Sequence, residues 1–485
     1  MRESDRREYW TRRLREYDQG HLLAAWDDLS PDRREALLES LQAVDFDLIR
    51  RLYENRGYKP EIGDLLRNAT SPRGPRLSDR ADAARRRAAV ECGEEALRGG
   101  RAACVLVAGG QGSRLGFEHP KGMFPIGPLS RHSLFQIFAE KILARGKRYG
   151  RRLPLALMTS PLTHAETVDY FERHERFGLG DDLHIFCQGT MPAVDATTGR
   201  ILMARPDALA LSPDGHGGML AAIHRSGVLE RFRQEGVRHL FYFQVDNPLL
   251  DVADPEFIGW HILAGSEMST LVIAKQTPLD KVGNVVQVGD RLHVVEYSDL
   301  PQDLAVRPGL DGKPLLWAGS IGVHVMEVDF LARVADLAEA LPFHVALKKM
   351  TYYDPETRTI VEPETANAVK FERFIFDLIP HAENAIVIEA AENDQFAPLK
   401  NAPGAARDTP EYVRDRMAAK CRRLLREAGC ETPGDPIVEI SPLFALDSWE
   451  LSQRLPRGTR IASPTYFGPE GPIAVDAAGG TQGAG

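Results

Sequence analysis

The residues best suited to chemistry lie in one short stretch, GGQGSRLG from Gly109 to Gly116, which PKG follows at 120–122. Glycines let backbone N–H groups approach phosphate oxygens closely and form an anion-binding nest. Arg114 offers a guanidinium fork to phosphate oxygens, and Lys121 adds a compact positive charge. A tight turn alone would explain a few glycines, but the cations at this spacing predict a polyphosphate site. Its predicted nucleotide-binding glycines are Gly109, Gly110 and Gly112.

This loop differs from two other phosphate-binding motifs. It is neither the GxGxxG of dinucleotide enzymes nor the GxxxxGK[ST] of P-loop NTPases. A dinucleotide oxidoreductase would need GxGxxG and an acidic residue about 20 positions further on. That alternative is therefore the weaker one.

A carboxylate stands at a second position suited to ligands. Asp246 follows the apolar run HLFYFQV at 239–245, and ligands of open α/β sheets bind at the carboxyl ends of strands. Mg²⁺ prefers one or two carboxylates together with phosphate oxygens and water. For a lone Asp-Asn pair, a helix cap or turn is the ordinary alternative. Asp377 also ends an apolar run, and either a second metal carboxylate or a structural role fits it.

Two polar segments complete the set of candidates. Gln188 follows the run LHIFC, and its amide carries a donor and an acceptor that match the imide edge of uracil. A surface glutamine is the default alternative. The glycines of DGHGG, from Asp214 to Gly218, would allow backbone to approach a ligand closely, although an ordinary flexible loop has the same composition.

The elements that must position these residues follow an alternating pattern. Short apolar runs at 102–108, 153–159, 183–187, 239–245 and 270–274 predict buried strands. Helical patterns near 163–177 and 219–235 separate some of them, which indicates an α/β domain with a largely parallel sheet. The alternation at 283–297 predicts a hairpin turning at Gly289-Asp290.

Helix starts can also be predicted. Ser30-Pro31 predicts a side-chain cap followed by a first-turn proline, and Ser133 with Gln136 forms a capping-box pattern. A further amphipathic helix is predicted at 410–428. The predicted domains are a helical region at 1–98, a catalytic domain at 99–385, a small C-terminal domain at 386–475 and a disordered tail at 476–485.

Composition limits the function classes. A net charge of −9 argues against a general nucleic-acid binder, and no apolar run approaches the ~20 residues of a membrane span. The charged N-terminus does not resemble a secretory signal. Five scattered cysteines lack zinc-site spacing and suggest free thiols in a reducing cytoplasm. No obligatory protein partner is evident.

The stretch LVAGGQGSRLGFEHPKG resembles the signature of the nucleotide-sugar pyrophosphorylases. The resemblance is strongest to the UDP-N-acetylhexosamine pyrophosphorylase branch of the UDP-glucose pyrophosphorylase family, and it covers most of the chain. Further matching segments are GHLL at 20–23, MTS at 158–160, PDG at 213–215, VDN at 245–247, VEYS at 295–298, HVA at 344–346, FIFD at 374–377 and PLKN at 398–401.

The resemblance implies a Rossmann-like nucleotidyltransferase fold and Mg²⁺-dependent uridylyl transfer from UTP to a hexose 1-phosphate. It assigns Mg²⁺ to Asp246, uracil to Gln188 and the nucleotide to Gly215. It further implies catalytic roles for Arg114 and Lys121 toward pyrophosphate, and for Lys400 toward the sugar phosphate. The sugar-binding residues that it implies are His216, Glu296, Ser320, Phe374 and Phe376.

Two positions depart from the acetylhexosamine pattern. His216 and Ser320 stand where those enzymes usually have asparagine, and a Gly-His-Gly is typical of glucose-type enzymes. Glucose 1-phosphate is therefore expected to be used at least as well as N-acetylglucosamine 1-phosphate. A non-catalytic UDP-sugar sensor on the same fold is a second hypothesis, but such a protein could lose Lys121 or Asp246, and both are present.

Overall fold

A computed structural model describes residues 3–57, 66–77, 83–309, 312, 314–335 and 341–475. The tail at 476–485, which the sequence predicts to be disordered, lies outside the described residues. Contacts between Cα atoms group the chain into two compact units. Unit 1 comprises Met1–Ile62, Gln188–Met219 and Leu337–Asp377, and unit 2 comprises Gly63–Cys187, Leu220–Asp336 and Leu378–Gly485. This grouping crosses the predicted domain boundaries, which stay a prediction.

The strands of the described residues are β1 (Ala102–Val107), β2 (Leu155–Thr159), β3 (Leu183–Cys187), β4 (Thr190–Pro192), β5 (Val194–Asp195), β6 (Met203–Arg205), β7 (Ala208–Leu209), β8 (Leu211–Pro213), β9 (His239–Gln244), β10 (Met268–Ala274), β11 (Gly283–Val288), β12 (Arg291–Val295), β13 (Ala318–Glu327), β14 (His344–Lys348), β15 (Tyr352–Asp354), β16 (Thr359–Val361), β17 (Ala368–Glu372), β18 (Ile386–Ala390), β19 (Val438–Ile440), β20 (Thr465–Gly468) and β21 (Gly471–Ala474).

The α-helices of the same residues are α1 (Glu3–Glu16), α2 (Pro31–Gln42), α3 (Phe46–Glu54), α4 (Ala83–Arg98), α5 (Leu134–Tyr149), α6 (His164–Arg173), α7 (Met219–Arg225), α8 (Val228–Gln234), α9 (Pro255–Leu263), α10 (Gln302–Ala305), α11 (Val328–Val334), α12 (Glu392–Gln395), α13 (Pro410–Glu427) and α14 (Ser448–Arg454).

A mixed sheet forms the centre of unit 2. β9, β1, β2 and β3 are parallel neighbours, and β13 runs antiparallel beside β9. The hairpin of β11 and β12 joins the sheet through β13, while β10 pairs with β13 and β18. Helices cover the sheet, and its apolar strands pack into a core with Phe138 of α5 and Phe257 of α9. This is the α/β architecture that the alternating pattern predicts and the Rossmann-like fold that the family resemblance implies.

Unit 2 also contains a small C-terminal assembly. The strands β19, β20 and β21 form their own sheet, and α13 and α14 pack with it around Leu425, Val438, Phe444 and Phe467. These residues form a core cluster of their own.

Unit 1 combines the first three helices with short antiparallel sheets. Trp10, Leu37 and Phe46 of the helices pack against Met203 and Phe371 of the strands. The other side of this core comes from two sheets. One is three-stranded, with the order β14-β17-β5, and the other is four-stranded, with the order β16-β15-β6-β7. Helices α1, α2 and α3 therefore form within unit 1, and burial of their apolar faces against strands stabilises them.

The structure tests the individual predicted elements. All five predicted strands and the 283–297 hairpin are confirmed. Pro31 starts α2 behind Ser30, but the Ser30 side chain makes no cap bond, so that part is wrong. Ser133 does cap α5 by accepting from the Gln136 N–H, whereas the Gln136 side chain turns to Glu140 instead of completing a capping box.

Candidate active site

The glycine-rich loop folds back on itself directly after β1. The Gly112 N–H donates to the His119 carbonyl over 2.9 Å, and the Lys121 N–H donates to the Gly110 carbonyl over 3.0 Å. These two hydrogen bonds close the loop, so the backbone of Lys121 is held next to Gly110. The Ser160 hydroxyl donates to the Gly109 carbonyl over 2.7 Å and fixes the start of the loop to the end of β2.

Close packing explains one of the loop glycines. A Cβ on Gly112 would lie 2.8 Å from both the Phe117 ring and the Phe117 carbonyl oxygen. Such a distance is too short for any real Cβ, so a side chain would open the loop. The glycines of this motif thus have a structural reason as well as the ligand-binding one.

Asp246 and Lys121 form the centre of a charged group in unit 2. Lys121 Nζ lies 3.8 Å from Asp246 Oδ2, and both side chains are only 17% exposed. Burial lowers the pKa of Lys121, the Asp246 carboxylate opposes that shift, and the like charges of Lys400 and Arg114 add to it. Lys121 therefore lies beside Asp246, and Arg114 and Lys400 are close enough to Lys121 to interact with it electrostatically.

Asn247 connects two segments of this group. The buried Asn247 amide donates to the Gln395 carbonyl over 2.7 Å and accepts from the Ala397 N–H over 3.0 Å. The Leu399 N–H donates to the Asp246 carbonyl over 2.7 Å. Segment 395–399 is therefore fixed to the end of β9, which brings Lys400 to Asp246 from about 150 residues further along the chain.

Two lysines hold the loop at 248–251, which directly follows Asn247. Lys141 Nζ donates to the carbonyls of Pro248 and Leu250. Lys420 Nζ donates to the Leu249 carbonyl and pairs with Asp251 over 2.7 Å. Sequence reasoning missed both, because a lone lysine in a helix gives no sign that it will be buried against carbonyls.

A second carboxylate that sequence reasoning missed lies in the same group. The Asp408 carbonyl accepts from the Lys400 N–H over 2.8 Å. Burial raises the pKa of Asp408; the cations of Lys400 and Arg407 oppose this shift, and the charge of Asp246 adds to it. No motif surrounds Asp408, and only the fold brings it near Lys400.

The predicted sugar residues of unit 2 meet at Gly283. A Cβ on Gly283 would lie 3.5 Å from Glu296 Oε1 and 3.8 Å from Ser320 Cβ. Ser320 pairs with Gly283 across the β11–β13 ladder. β13 has an irregularity directly after Ser320, since Val272 pairs with Ser320 while Leu271 pairs with Val323.

The predicted uracil residue is buried within unit 1. Gln188 Nε2 donates to Asp214 Oδ1 over 3.1 Å and to the Gly215 carbonyl over 3.3 Å. Gly215 has φ +88°, and a Cβ there would lie 2.3 Å from the Arg373 carbonyl oxygen. The DGHGG segment is thus a packed turn, and the flexible-loop alternative is wrong.

Three aromatic rings stack beside that turn. Phe374 lies between His216 and His344, with ring centroids 5.1 Å and 4.2 Å apart and interplanar angles of 13° and 24°. We call His216, Phe374 and His344 the ring stack. Phe376 lies against its side, 5.1 Å from Phe374. Sequence reasoning missed His344, which only the β14–β17 pairing brings into the stack.

Burial governs the protonation of His216. It lowers the pKa of His216 to about 4, and the neighbouring His344 adds to that shift. His216 Nδ1 accepts from the Ile375 N–H over 3.2 Å, so the neutral ring carries its proton on Nε2. His344 Nε2 lies 2.8 Å from Asp377 Oδ2, which supports the structural role for Asp377.

The α/β fold and a glycine loop beside clustered cations and a strand-end carboxylate define a nucleotidyltransferase. The chain belongs to the UTP–glucose-1-phosphate uridylyltransferase family, whose profile matches residues 78–434. It is 35% identical to a human UDP-N-acetylhexosamine pyrophosphorylase-like protein 1, covering 93% of this chain and 95% of that protein. It is 34% identical to the UDP-N-acetylglucosamine pyrophosphorylase of Saccharomyces cerevisiae, covering 90% and 95%.

Solved structures agree with this assignment. The uridine diphosphate N-acetylglucosamine pyrophosphorylase of Trypanosoma brucei superposes with a TM-score of 0.79 at 28% identity, covering 93% of this chain and 95% of that one. UDP-glucose pyrophosphorylase of Leishmania major shares the fold, with a TM-score of 0.55 at 15% identity, covering 90% and 86%. The chain is an enzyme that transfers a uridylyl group between UTP and a sugar 1-phosphate, and a non-catalytic sensor is not favoured.

One further finding concerns membranes. Within the described part of the chain, no helix is both long and apolar enough to cross a bilayer.

Proposed function

We propose that this enzyme makes a UDP-hexose and pyrophosphate from UTP and a hexose 1-phosphate in a Mg²⁺-dependent reaction. Glucose 1-phosphate and N-acetylhexosamine 1-phosphate are the proposed acceptors. The observation that carries the proposal is the cluster of Arg114, Lys121 and Lys400, in which Lys121 lies 3.8 Å from the carboxylate of Asp246. None of the five cysteines, all of which the structure describes, forms a disulfide, and this supports a cytoplasmic location.

The reaction needs positioning and charge neutralisation more than proton transfer. A phosphate oxygen of the sugar phosphate is already nucleophilic, so its in-line attack on the α-phosphorus of UTP requires no general base. Lys121 and Arg114 would neutralise the pyrophosphate as it leaves, and Lys400 would hold the incoming sugar phosphate. Fixed cations in a poorly solvated site stabilise developing charge without reorganising.

The loop geometry supports the role of Lys121. Its backbone N–H donates to the Gly110 carbonyl, so the Lys121 side chain starts beside the glycine-rich loop. Lys121 Nζ lies 3.8 Å from Asp246 Oδ2. Arrival of a triphosphate would give Lys121 a stronger anionic partner, which would leave the Asp246 carboxylate available to a cation.

The donor set near Asp246 fits Mg²⁺. One partly exposed carboxylate at a strand end, with phosphate oxygens and water completing the shell, is a usual environment for this ion. When bound, Mg²⁺ would neutralise phosphate charge and orient the reacting groups. Asp246 would hold it, and Asp408 is close enough for its charge to be felt at Asp246.

The orientation of Gln188 supports its role toward uracil. Asp214 has only acceptor oxygens when ionised, so the Gln188 amide must turn Nε2 toward it. The Gln188 carbonyl oxygen then lies on the other side of the amide. An acceptor in that position suits the N3–H of uracil.

A substrate screen tests the proposal. Purified enzyme is incubated with UTP, Mg²⁺ and each of a panel of sugar 1-phosphates, and pyrophosphate release is measured. We expect release with at least one hexose 1-phosphate, and far less when CTP replaces UTP or when EDTA removes the metal. Absence of pyrophosphate with every sugar, or equal rates in EDTA, would contradict the proposal.

A further inference from the structure

We propose that His239, His261 and Glu327 form a binding site for a divalent transition-metal ion of the Zn²⁺ class. The three residues come from β9, α9 and β13, all within unit 2. His239 and Glu327 are Cα partners in the β9–β13 ladder, and α9 supplies His261. One ligand atom from each residue lies within 4.8 Å of the other two.

The chemistry of the three ligand atoms selects the class of metal. His239 Nδ1 and His261 Nε2 lie 2.7 Å and 3.0 Å from the same carboxylate oxygen, Glu327 Oε1. Two imidazoles and one carboxylate are a ligand set for Zn²⁺, while Mg²⁺ and Ca²⁺ prefer oxygen. Tetrahedral bonds of about 2.0–2.1 Å place ligand atoms roughly 3.3 Å apart, so His239 Nδ1 and His261 Nε2 would move about 0.6 Å and about 0.3 Å away from Glu327 Oε1 to admit the ion.

One nitrogen of the cluster is not satisfied by hydrogen bonding. His239 Nδ1 is buried and meets the geometric criteria for a hydrogen bond with no partner, although Glu327 Oε1 lies only 2.7 Å away. Buried polar atoms in proteins nearly always have a partner. A metal ion bound by both atoms would give this nitrogen its partner.

A neighbouring hydroxyl holds one ligand in the orientation that a metal needs. His261 is fully buried, and its Nδ1 lies 2.9 Å from the Ser269 hydroxyl of β10. A partner on the second ring nitrogen fixes the orientation and tautomer of metal-binding histidines. Glu327 is 28% exposed, so water can reach the open coordination position.

This site is separate from the nucleotide chemistry. His239 begins β9 and Asp246 follows its other end, and seven residues of extended chain span roughly 20 Å. An ion here would cross-link two central strands and α9. It would therefore stabilise the sheet that carries Asp246 without touching the substrate.

Metal content and spectroscopy test the site. The full-length enzyme is stripped with EDTA, equilibrated with ZnCl₂ or CoCl₂ and freed of excess metal. We expect one Zn²⁺ per chain, visible Co²⁺ bands of a four- or five-coordinate nitrogen and oxygen site, and a higher Tm with Zn²⁺. H239Q, H261Q and E327Q should each bind Zn²⁺ at least tenfold more weakly and lose the Tm increase.

Two variants separate this site from others. D246N should keep the bound Zn²⁺, because the catalytic carboxylate is not a ligand. H293Q, which changes a histidine on β12, should also keep it. Failure of the EDTA-stripped wild-type enzyme to bind Zn²⁺ or give Co²⁺ bands would overturn the proposal. So would unchanged Zn²⁺ affinity in the three ligand variants, and the cluster would then be a proton-sharing hydrogen-bond group. If a ligand variant does not fold, the Co²⁺ spectrum of wild-type and D246N proteins decides.

Discussion

The charged group around Asp246 and the ring stack around His216 are organised by different forces. In unit 2, Lys121 and Asp246 interact across 3.8 Å, and Arg114 and Lys400 contribute through their charge. In unit 1, stacked rings and a backbone N–H bond hold a neutral His216. Electrostatic interactions organise the charged group, whereas ring packing organises the ring stack.

This difference has a consequence for substitutions. Removing a side-chain charge from the charged group changes the electrostatic stabilisation of the charged substrates. The rate of uridylyl transfer should therefore fall steeply. Changing a ring in the second region alters packing and hydrogen-bonding pattern, which affects stability and sugar choice more than turnover. Variants of the two regions can test whether this division holds.

The largest effect is expected for Asp246→Asn. Loss of the carboxylate removes the proposed Mg²⁺ ligand while keeping the side-chain shape. We expect kcat to fall at least 100-fold, about 2.7 kcal/mol at 1.36 kcal/mol per tenfold, with an unchanged Tm. The matched control is D290N, at a hairpin aspartate whose side chain is 93% exposed, which should retain full activity. Near-normal turnover by folded D246N would remove Asp246 from the mechanism.

A somewhat smaller effect is expected for Lys121→Ala and Arg114→Ala. Pyrophosphate is absent from the UDP-sugar complex, so these cations should matter chiefly when it is present. We expect pyrophosphate formation to slow roughly 10- to 100-fold, within the few kcal/mol that one charge-stabilising group supplies, while UDP-sugar affinity changes less than threefold. Stopped-flow turnover and calorimetric binding measure the two quantities, with K147A on α5 as control. A variant that lost UDP-sugar affinity but kept normal turnover would show the assignment to be wrong.

The ring stack predicts a pH dependence of stability. The pKa of His216 is about 4 in the folded enzyme against about 6.5 in an unfolded chain, so the unfolded state takes up the proton first. Its contribution to stability should be complete above pH 6.5 and be lost as pH falls toward 4, by about 2 kcal/mol at pH 5.

Urea denaturation at pH 7.5 and pH 5 measures this loss. H216N should show a smaller difference between the two pH values than the wild-type enzyme. H174N, at an exposed histidine in the same chain, should match the wild type. Equal pH dependence in wild-type and H216N proteins would show that folding does not lower the pKa of His216.

The smallest effect concerns sugar choice. Neutral His216 offers one N–H donor, and Ser320 a short hydroxyl, where an asparagine amide would offer a donor and an acceptor together. We expect kcat/KM for glucose 1-phosphate to equal or exceed that for N-acetylglucosamine 1-phosphate. The double variant H216N/S320N should shift the ratio about tenfold toward the acetylated sugar, since one tenfold step is only about 1.4 kcal/mol. A wild-type preference above roughly 100-fold for the acetylated sugar would contradict this.

The sequence predicts elements whose pattern is local. Short apolar runs mark the buried strands because parallel strands are covered on both faces, and the phosphate loop is contiguous with β1. The pattern near 219–235 misses a break, because Gly227 at φ +77° separates α7 from α8. A single glycine within a helical pattern does not show in advance whether the helix stops.

Sites assembled from distant segments are harder to predict. Asn247, Asp408 and His344 have ordinary neighbours in sequence, and only pairing of strands or loops brings them to the proposed site residues. The resemblance to a family supplied Lys400, Glu296 and Phe374, for which the residues alone gave no reason. Unit 1 also joins three separate chain segments, a grouping that no linear pattern in this chain indicates.

Two hydrogen bonds join the Asn247 side chain to segment 395–397, and they have a consequence for hydrogen exchange. The N–H groups of Ala397 and Leu399 donate to Asn247 and Asp246, although neither belongs to a helix or strand. Their opening must break the attachment to the end of β9, so these two amides should exchange with deuterium as slowly as the central sheet. Residues 401–407 beyond them are mostly exposed and should exchange quickly. The position of Lys400 is therefore set by the attachment of this segment to the end of β9, and not by the local flexibility of its own loop.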